Sequence, residues 1–124
     1  MQQTEIFVPK SLAMELRKKG FNEPCVGWYD SLLDESNCTT PRLDGTLETN
    51  SEFTDSCTAP TYDQVVGWFA EVHGISIETE ADMLFVQFTC TISRKNVGYL
   101  MNVPYSPNRQ QSLLTAFEEA LKLI

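Results

Sequence analysis

The stretch TAPTYDQVVGWFAEVHG, residues 58–74, constrains this chain more than any other, because it carries both the start and the stop of one helix. Thr61 with Gln64 three residues on forms a capping box. Pro60 keeps the entering chain extended, and Gly74 supplies a left-handed stop. Between these signals Tyr62, Val65, Val66, Phe69 and Val72 recur at the spacing of a buried stripe, with Trp68 at its edge. Asp63, Gln64, Ala70 and Glu71 face the other way, so the helix needs a surface to lie on. Gly67 costs about 1 kcal/mol relative to Ala inside a helix, and a close approach of neighbouring backbone is the expected compensation.

The elements on either side are legible to different degrees. PKSLAMELRKKGF predicts a short helix with Leu12, Ala13 and Leu16 on one side. Arg17, Lys18 and Lys19 fall in its last turn, Gly20 is its stop, and Phe21 is placed to contact Leu16 in a Schellman motif. Cys25 to Tyr29 is rich in strand formers. Residues 31–58 hold few apolar side chains; Asp44-Gly45 predicts a hairpin turn and Asn50-Ser51 a further turn, with 34–40 the most mobile part. After the central helix, Ile75 and Ile77 alternate with polar residues, and Glu80-Ala81-Asp82 reads as an acidic turn. The clearest alternation follows: Leu84, Val86, Phe88, Cys90 and Ile92 on an inner face, with Met83, Phe85, Gln87, Thr89, Thr91 and Ser93 outside. A returning strand spans 97–103, and Ser106 or Asn108 caps a last helix whose stripe is Leu113, Phe117, Ala120, Leu121 and Ile124.

Helices and hairpins in the order α-β-β-α-β-β-β-α predict an α+β fold, with one antiparallel sheet of about five strands and three helices packed mainly on one face. With 124 residues and 42 % apolar content, residues 1–124 fit a single domain, since two would each have too small a core.

Charge is unevenly distributed. Residues 22–82 hold thirteen acids against Arg42 alone, a local net of −12 within a formal charge of −8. Such a field repels nucleic-acid phosphate and anionic membrane and steers towards a basic protein surface. Asp44, Glu48, Glu52 and Asp55 are the candidate partner-binding acids, with Trp28 and Trp68 as candidate apolar contacts and Tyr99 a further one. The partner expected is therefore another protein rather than nucleic acid or membrane, and homo-oligomerisation stays open.

The chemistry of catalysis finds little purchase. Cys25, Cys38, Cys57 and Cys90 form no C-x-x-C pair, and there is one histidine, so a structural zinc is not expected and no metal or other cofactor is assigned. Cys25 and Cys90 fall in strands and Cys38 and Cys57 in loops, all read as thiols in a reducing compartment; Cys38 and Cys57 could pair only in an oxidising one. His73 sits in a last helical turn, where a dipole interaction is the ordinary role. The acids Asp34-Glu35 and Glu78-Glu80-Asp82 sit at polar turns with no apolar wall to raise a pKa. No catalytic residue is assigned. MQQTEIFVPK lacks the features of a signal peptide, and a cytoplasmic protein is expected.

KKGFNEPCVGWYD, then APTYDQVVGWFAEVHGISIE, then FEEALKLI resembles a family of small uncharacterised proteins of gut Bacteroides-group bacteria and their phages. The motifs fall on Gly20 to Cys25, Ala59 to His73 and Glu118 to Leu123; where those relatives carry Arg-Glu-Lys after the Trp-Phe pair, this chain has Ala70-Glu71-Val72. The resemblance implies a phage or mobile-element setting and carries no activity. The expectation is a non-enzymatic accessory protein that binds another protein through its acidic surface, one form of which is an inhibitor of a host nucleic-acid-binding or defence protein. A small metal-dependent hydrolase and a virion-associated structural component are the alternatives.

Overall fold

The computed structural model describes residues 6–29, 41–53 and 56–124. The expected hairpin's segment 34–40, Cys38 and Asp55 lie outside them, as does the side chain of Asp44. The fold is α+β, with three helices and six strands among the described residues, in two antiparallel three-stranded sheets rather than the one sheet expected. Each sheet is assembled from strands near one another in sequence, which keeps the entropy of closing the intervening loops low. The chain divides into two compact units, residues 1–64 and 65–124.

In the first unit, helix α1 (Lys10–Lys18) ends as its sequence dictates. Gly20 adopts φ +94°. The Phe21 N–H then reaches back to the Leu16 carbonyl at 2.9 Å and both side chains are buried, completing the Schellman motif. Strand β1 (Cys25–Tyr29) runs between β2 (Arg42–Glu48) and β3 (Cys57–Ala59). Asp44-Gly45 is not the tip of a hairpin. Cys25 pairs with Glu48 and Gly27 with Leu43, so β2 bulges between these pairs, and Gly45 at φ +83° supplies the bend. Cys57, expected in a loop, is buried in β3.

A single 3-10 turn, Asn50–Glu52, places one side chain that composition could not single out. Buried Asn50 donates to the Phe21 carbonyl (2.6 Å) and accepts from the Thr58 N–H (2.9 Å), tying the exit of α1 to β3. Arg17 does more than face a helix dipole, since its guanidinium donates to the carbonyls of Phe53 (2.7 Å) and Ser56. The Tyr29 hydroxyl donates to the Val8 carbonyl at 2.6 Å.

Helix α2 (Tyr62–His73) begins with the expected capping box: the Thr61 N–H donates to Gln64 Oε1 (2.9 Å) and the Gln64 N–H to Thr61 Oγ1 (3.2 Å). Gly74 follows at φ +66°. A Cβ at Gly67 would meet nothing within 4 Å, so no close approach explains that glycine. The stripe is also rotated from the sequence reading, with Val72 exposed.

The second unit is a meander of β4 (Ile75–Asp82), β5 (Gln87–Arg94) and β6 (Gly98–Asn102), with helix α3 (Arg109–Leu121) against β4 and β5. The Gln111 N–H donates to the capping Asn108 side chain at 3.1 Å. Ile75, Ile77, Cys90 and Ile92 are buried on the inner face with Leu113, Ala116, Phe117 and Ala120 of α3. Phe117 stacks on Phe69 with ring centroids 6.1 Å apart. Beyond β6 the chain continues along β5, through Val103 N–H to the Cys90 carbonyl and a bridge between Phe88 and Ser106. Thr89, read as an outer residue, is thereby buried, its hydroxyl donating to the Val103 carbonyl.

Candidate functional site

The β4–β5 hairpin is in register from Ile75 opposite Arg94 to Asp82 opposite Gln87, which leaves four residues to turn the chain. They are Met83, Leu84, Phe85 and Val86, the beginning of what the alternation predicts as one long strand. Glu80-Ala81-Asp82, predicted as the turn, is instead the end of β4. The reason is local. Asp82 Oδ1 accepts from the N–H groups of Leu84 (3.1 Å) and Phe85 (3.4 Å), and Gln87 Nε2 approaches Asp82 Oδ2 at 3.5 Å. One carboxylate thus satisfies two turn amides that the ladder cannot reach, the ordinary use of Asp in a turn.

With its backbone held this way, the apex turns its side chains to solvent: Met83 is 76 % exposed, Leu84 82 %, Phe85 70 % and Val86 64 %. Single exposed apolar residues are common on protein surfaces, but an unbroken run of four at the end of a hairpin is not. Val86 also adopts φ +49°, a left-handed conformation that costs an L-residue about 1–2 kcal/mol and is least suited to a β-branched one. Replacing Val86 with Asn, which tolerates that conformation, is expected to raise stability by about 1 kcal/mol, a gain of a few degrees in thermal midpoint. Thermal unfolding followed by circular dichroism measures it, and an unchanged or lower midpoint contradicts it.

The flank of the apex is acidic. Glu78 and Glu80 are exposed on the outer face of β4, with Asp82 next on that face. Glu80 is held by a chain of hydrogen bonds across the sheet: the Tyr99 hydroxyl donates to Asn102 Oδ1 (2.7 Å), Asn102 Nδ2 to Thr91 Oγ1 (2.8 Å), and Thr91 Oγ1 to Glu80 Oε1 (3.3 Å). Tyr99 itself is exposed, and so is Tyr105, next to the Ser106 that bridges Phe88.

The described residues among those singled out from the sequence differ in exposure. Trp68 is 2 % exposed, its ring edge-on to His73 (4.7 Å) and Phe69 (5.0 Å), so it belongs to the core and cannot be a contact. Trp28 is half-buried, packed on Phe53 at 5.5 Å and beneath the Arg42 guanidinium at 5.7 Å. Glu48 is half-buried and accepts from Thr46 Oγ1 (3.2 Å); Glu52 is exposed and accepts from Thr49 Oγ1 (3.4 Å). The sequence missed the apex because alternation runs straight through it; Asp82, two residues before Leu84, is the one local signal of the turn.

As to reactive groups, burial pushes the Cys25 thiol up to about 11; the adjacent Thr58 hydroxyl opposes this and Glu23 adds to it. Such a thiol stays protonated at neutral pH and is a poor nucleophile. Among the described residues no three His, Cys, Asp or Glu side chains come together as a metal site, and no helix is long and apolar enough to cross a membrane. A shallow depression of about 270 Å³ is lined by Ala70, Gly74, Ser76, Ser93, Arg94 and Lys95. Comparison with protein-family models, curated proteins and solved structures finds no match to this chain.

Proposed function

We propose that this chain is a non-enzymatic binding protein that docks on another protein with the apex of its β4–β5 hairpin. The observation that carries this reading is the run Met83-Leu84-Phe85-Val86, exposed together on a turn whose backbone is fastened by Asp82. A rigid loop that presents apolar side chains loses little entropy on binding, and burying each of them contributes about 1.5–3 kcal/mol. The resemblance to phage and mobile-element proteins supports an accessory role, in which the acidic body steers the chain to a basic partner.

The test is the double variant Leu84→Ser with Phe85→Ser. Both side chains are exposed in the free protein, so its thermal midpoint is expected to stay within about 2 °C of the parent. Partner affinity, measured by calorimetry or by retention on the immobilised chain, is expected to fall about 100-fold. Unchanged affinity would remove the apex from the contact.

A further inference from the structure

We infer that the surface receiving the apex is a protein cleft with an apolar floor and a cationic rim, an inference that rests on the reading of the apex as the docking element. Behind the four apolar side chains stand Glu78, Glu80 and Asp82, and residues 43–93 contain neither Lys nor Arg. The first cation on the hairpin is Arg94, paired with Ile75 at the opposite end. At about 3.4 Å per residue it lies roughly 24 Å along the strand from Gln87, or about three screening lengths at physiological salt. The segment that continues along β5, residues 103–106, carries no charge, and the next cation beyond it is Arg109 at the start of α3. The apex is therefore an apolar point with an anionic collar.

That arrangement discriminates among occupants. An anionic bilayer repels the collar, and the apex offers no Lys, Arg, Trp or Tyr to seat in the headgroups. A second copy meeting apex to apex would bring the two sets of carboxylates together, like charge against like. A cleft whose rim carries Lys or Arg satisfies both parts at once, the floor taking the apolar side chains and the rim the carboxylates. Glu80 is already oriented for such a contact by the Tyr99–Asn102–Thr91 chain, which reduces the ordering required on binding.

The experiment places a photo-reactive phenylalanine analogue at Phe85 of the full chain, and at exposed Val97 on the far turn as control. The chain is irradiated in an extract of cells that express it, and the adducts are sequenced. The expected result is adducts from position 85 and not 97, confined to one protein segment whose apolar residues are flanked by Lys or Arg. Capture is expected to fall about tenfold between roughly 0.05 and 0.3 M salt, and at least about tenfold at low salt on Glu78→Lys with Glu80→Lys.

Adducts on a second copy of the chain, a mapped segment without cations, or no adduct from position 85 would overturn the inference. So would sedimentation of the purified chain with phosphatidylcholine or phosphatidylserine vesicles. If the Leu84→Ser, Phe85→Ser variant loses the partner while salt and charge reversal change nothing, the cationic rim falls and the docking reading stands. If that variant keeps the partner, the docking reading itself falls.

Discussion

Asn50→Ala is expected to destabilise the protein by about 3 kcal/mol, although residue 50 is a single polar side chain in a short turn. Its amide serves two backbone groups at once, donating to the Phe21 carbonyl and accepting from the Thr58 N–H, and the side chain is buried. Truncation leaves a buried acceptor and a buried donor without partners, each at a cost of about 1–3 kcal/mol. Asn50→Asp tests the same point differently, because a carboxylate can accept from Thr58 but cannot donate to Phe21. It too is expected to destabilise, with the added cost of burying a charge. Urea unfolding measures both as a lower midpoint at unchanged slope. A loss below about 0.5 kcal/mol, the range of an ordinary surface substitution, would mean that neither bond matters.

A second large effect is expected from a matched pair on β5 and its turn. Ile92→Asp and Leu84→Asp place the same charge at two positions that alternation assigns to one face. Ile92 is 0 % exposed, opposite Ile77 and beneath α3, whereas Leu84 is 82 % exposed. The first is expected to cost at least about 4 kcal/mol and abolish cooperative unfolding, since it buries a carboxylate among the apolar side chains of Ile75, Ile77 and α3. The second is expected to change stability by no more than about 0.5 kcal/mol. Thermal melts of the two proteins side by side decide the matter. Similar losses would place residues 83–86 inside the core and remove the exposed apex.

The elements whose ends are specified by local chemistry were readable without the structure. The Thr61–Gln64 capping box, the left-handed Gly20 and Gly74, the Phe21–Leu16 closure and a cap at Ser106 or Asn108, which the structure assigns to Asn108, each depend on residues within a few positions of one another. The α+β class followed from their order, and the inward face of β4 from Ile75 and Ile77.

Pairing was not readable in the same way. A period of two says which residues share a face but is silent on where a hairpin turns, because a four-residue turn interrupts the pattern without changing its phase. Setting Ile77 against Ile92 fixes the centre of the hairpin between Leu84 and Phe85, and that choice is made by burial beneath α3, a contact across tens of residues. The same holds for Gly45, where the Asp-Gly signal of a hairpin serves a bulge because β1 sets the register.

Burial decided the candidate site. The sequence alone determined that this chain is acidic, poor in metal-ligating pairs and bounded by well-marked helices, since these depend on composition and short-range spacing. Only the tertiary structure decided that Trp68 is core while Met83, Leu84, Phe85 and Val86 are surface. Hydrophobicity is a property of a side chain, whereas exposure depends on which other elements come to cover it, and the turn fastened by Asp82 carries these four beyond the reach of the core.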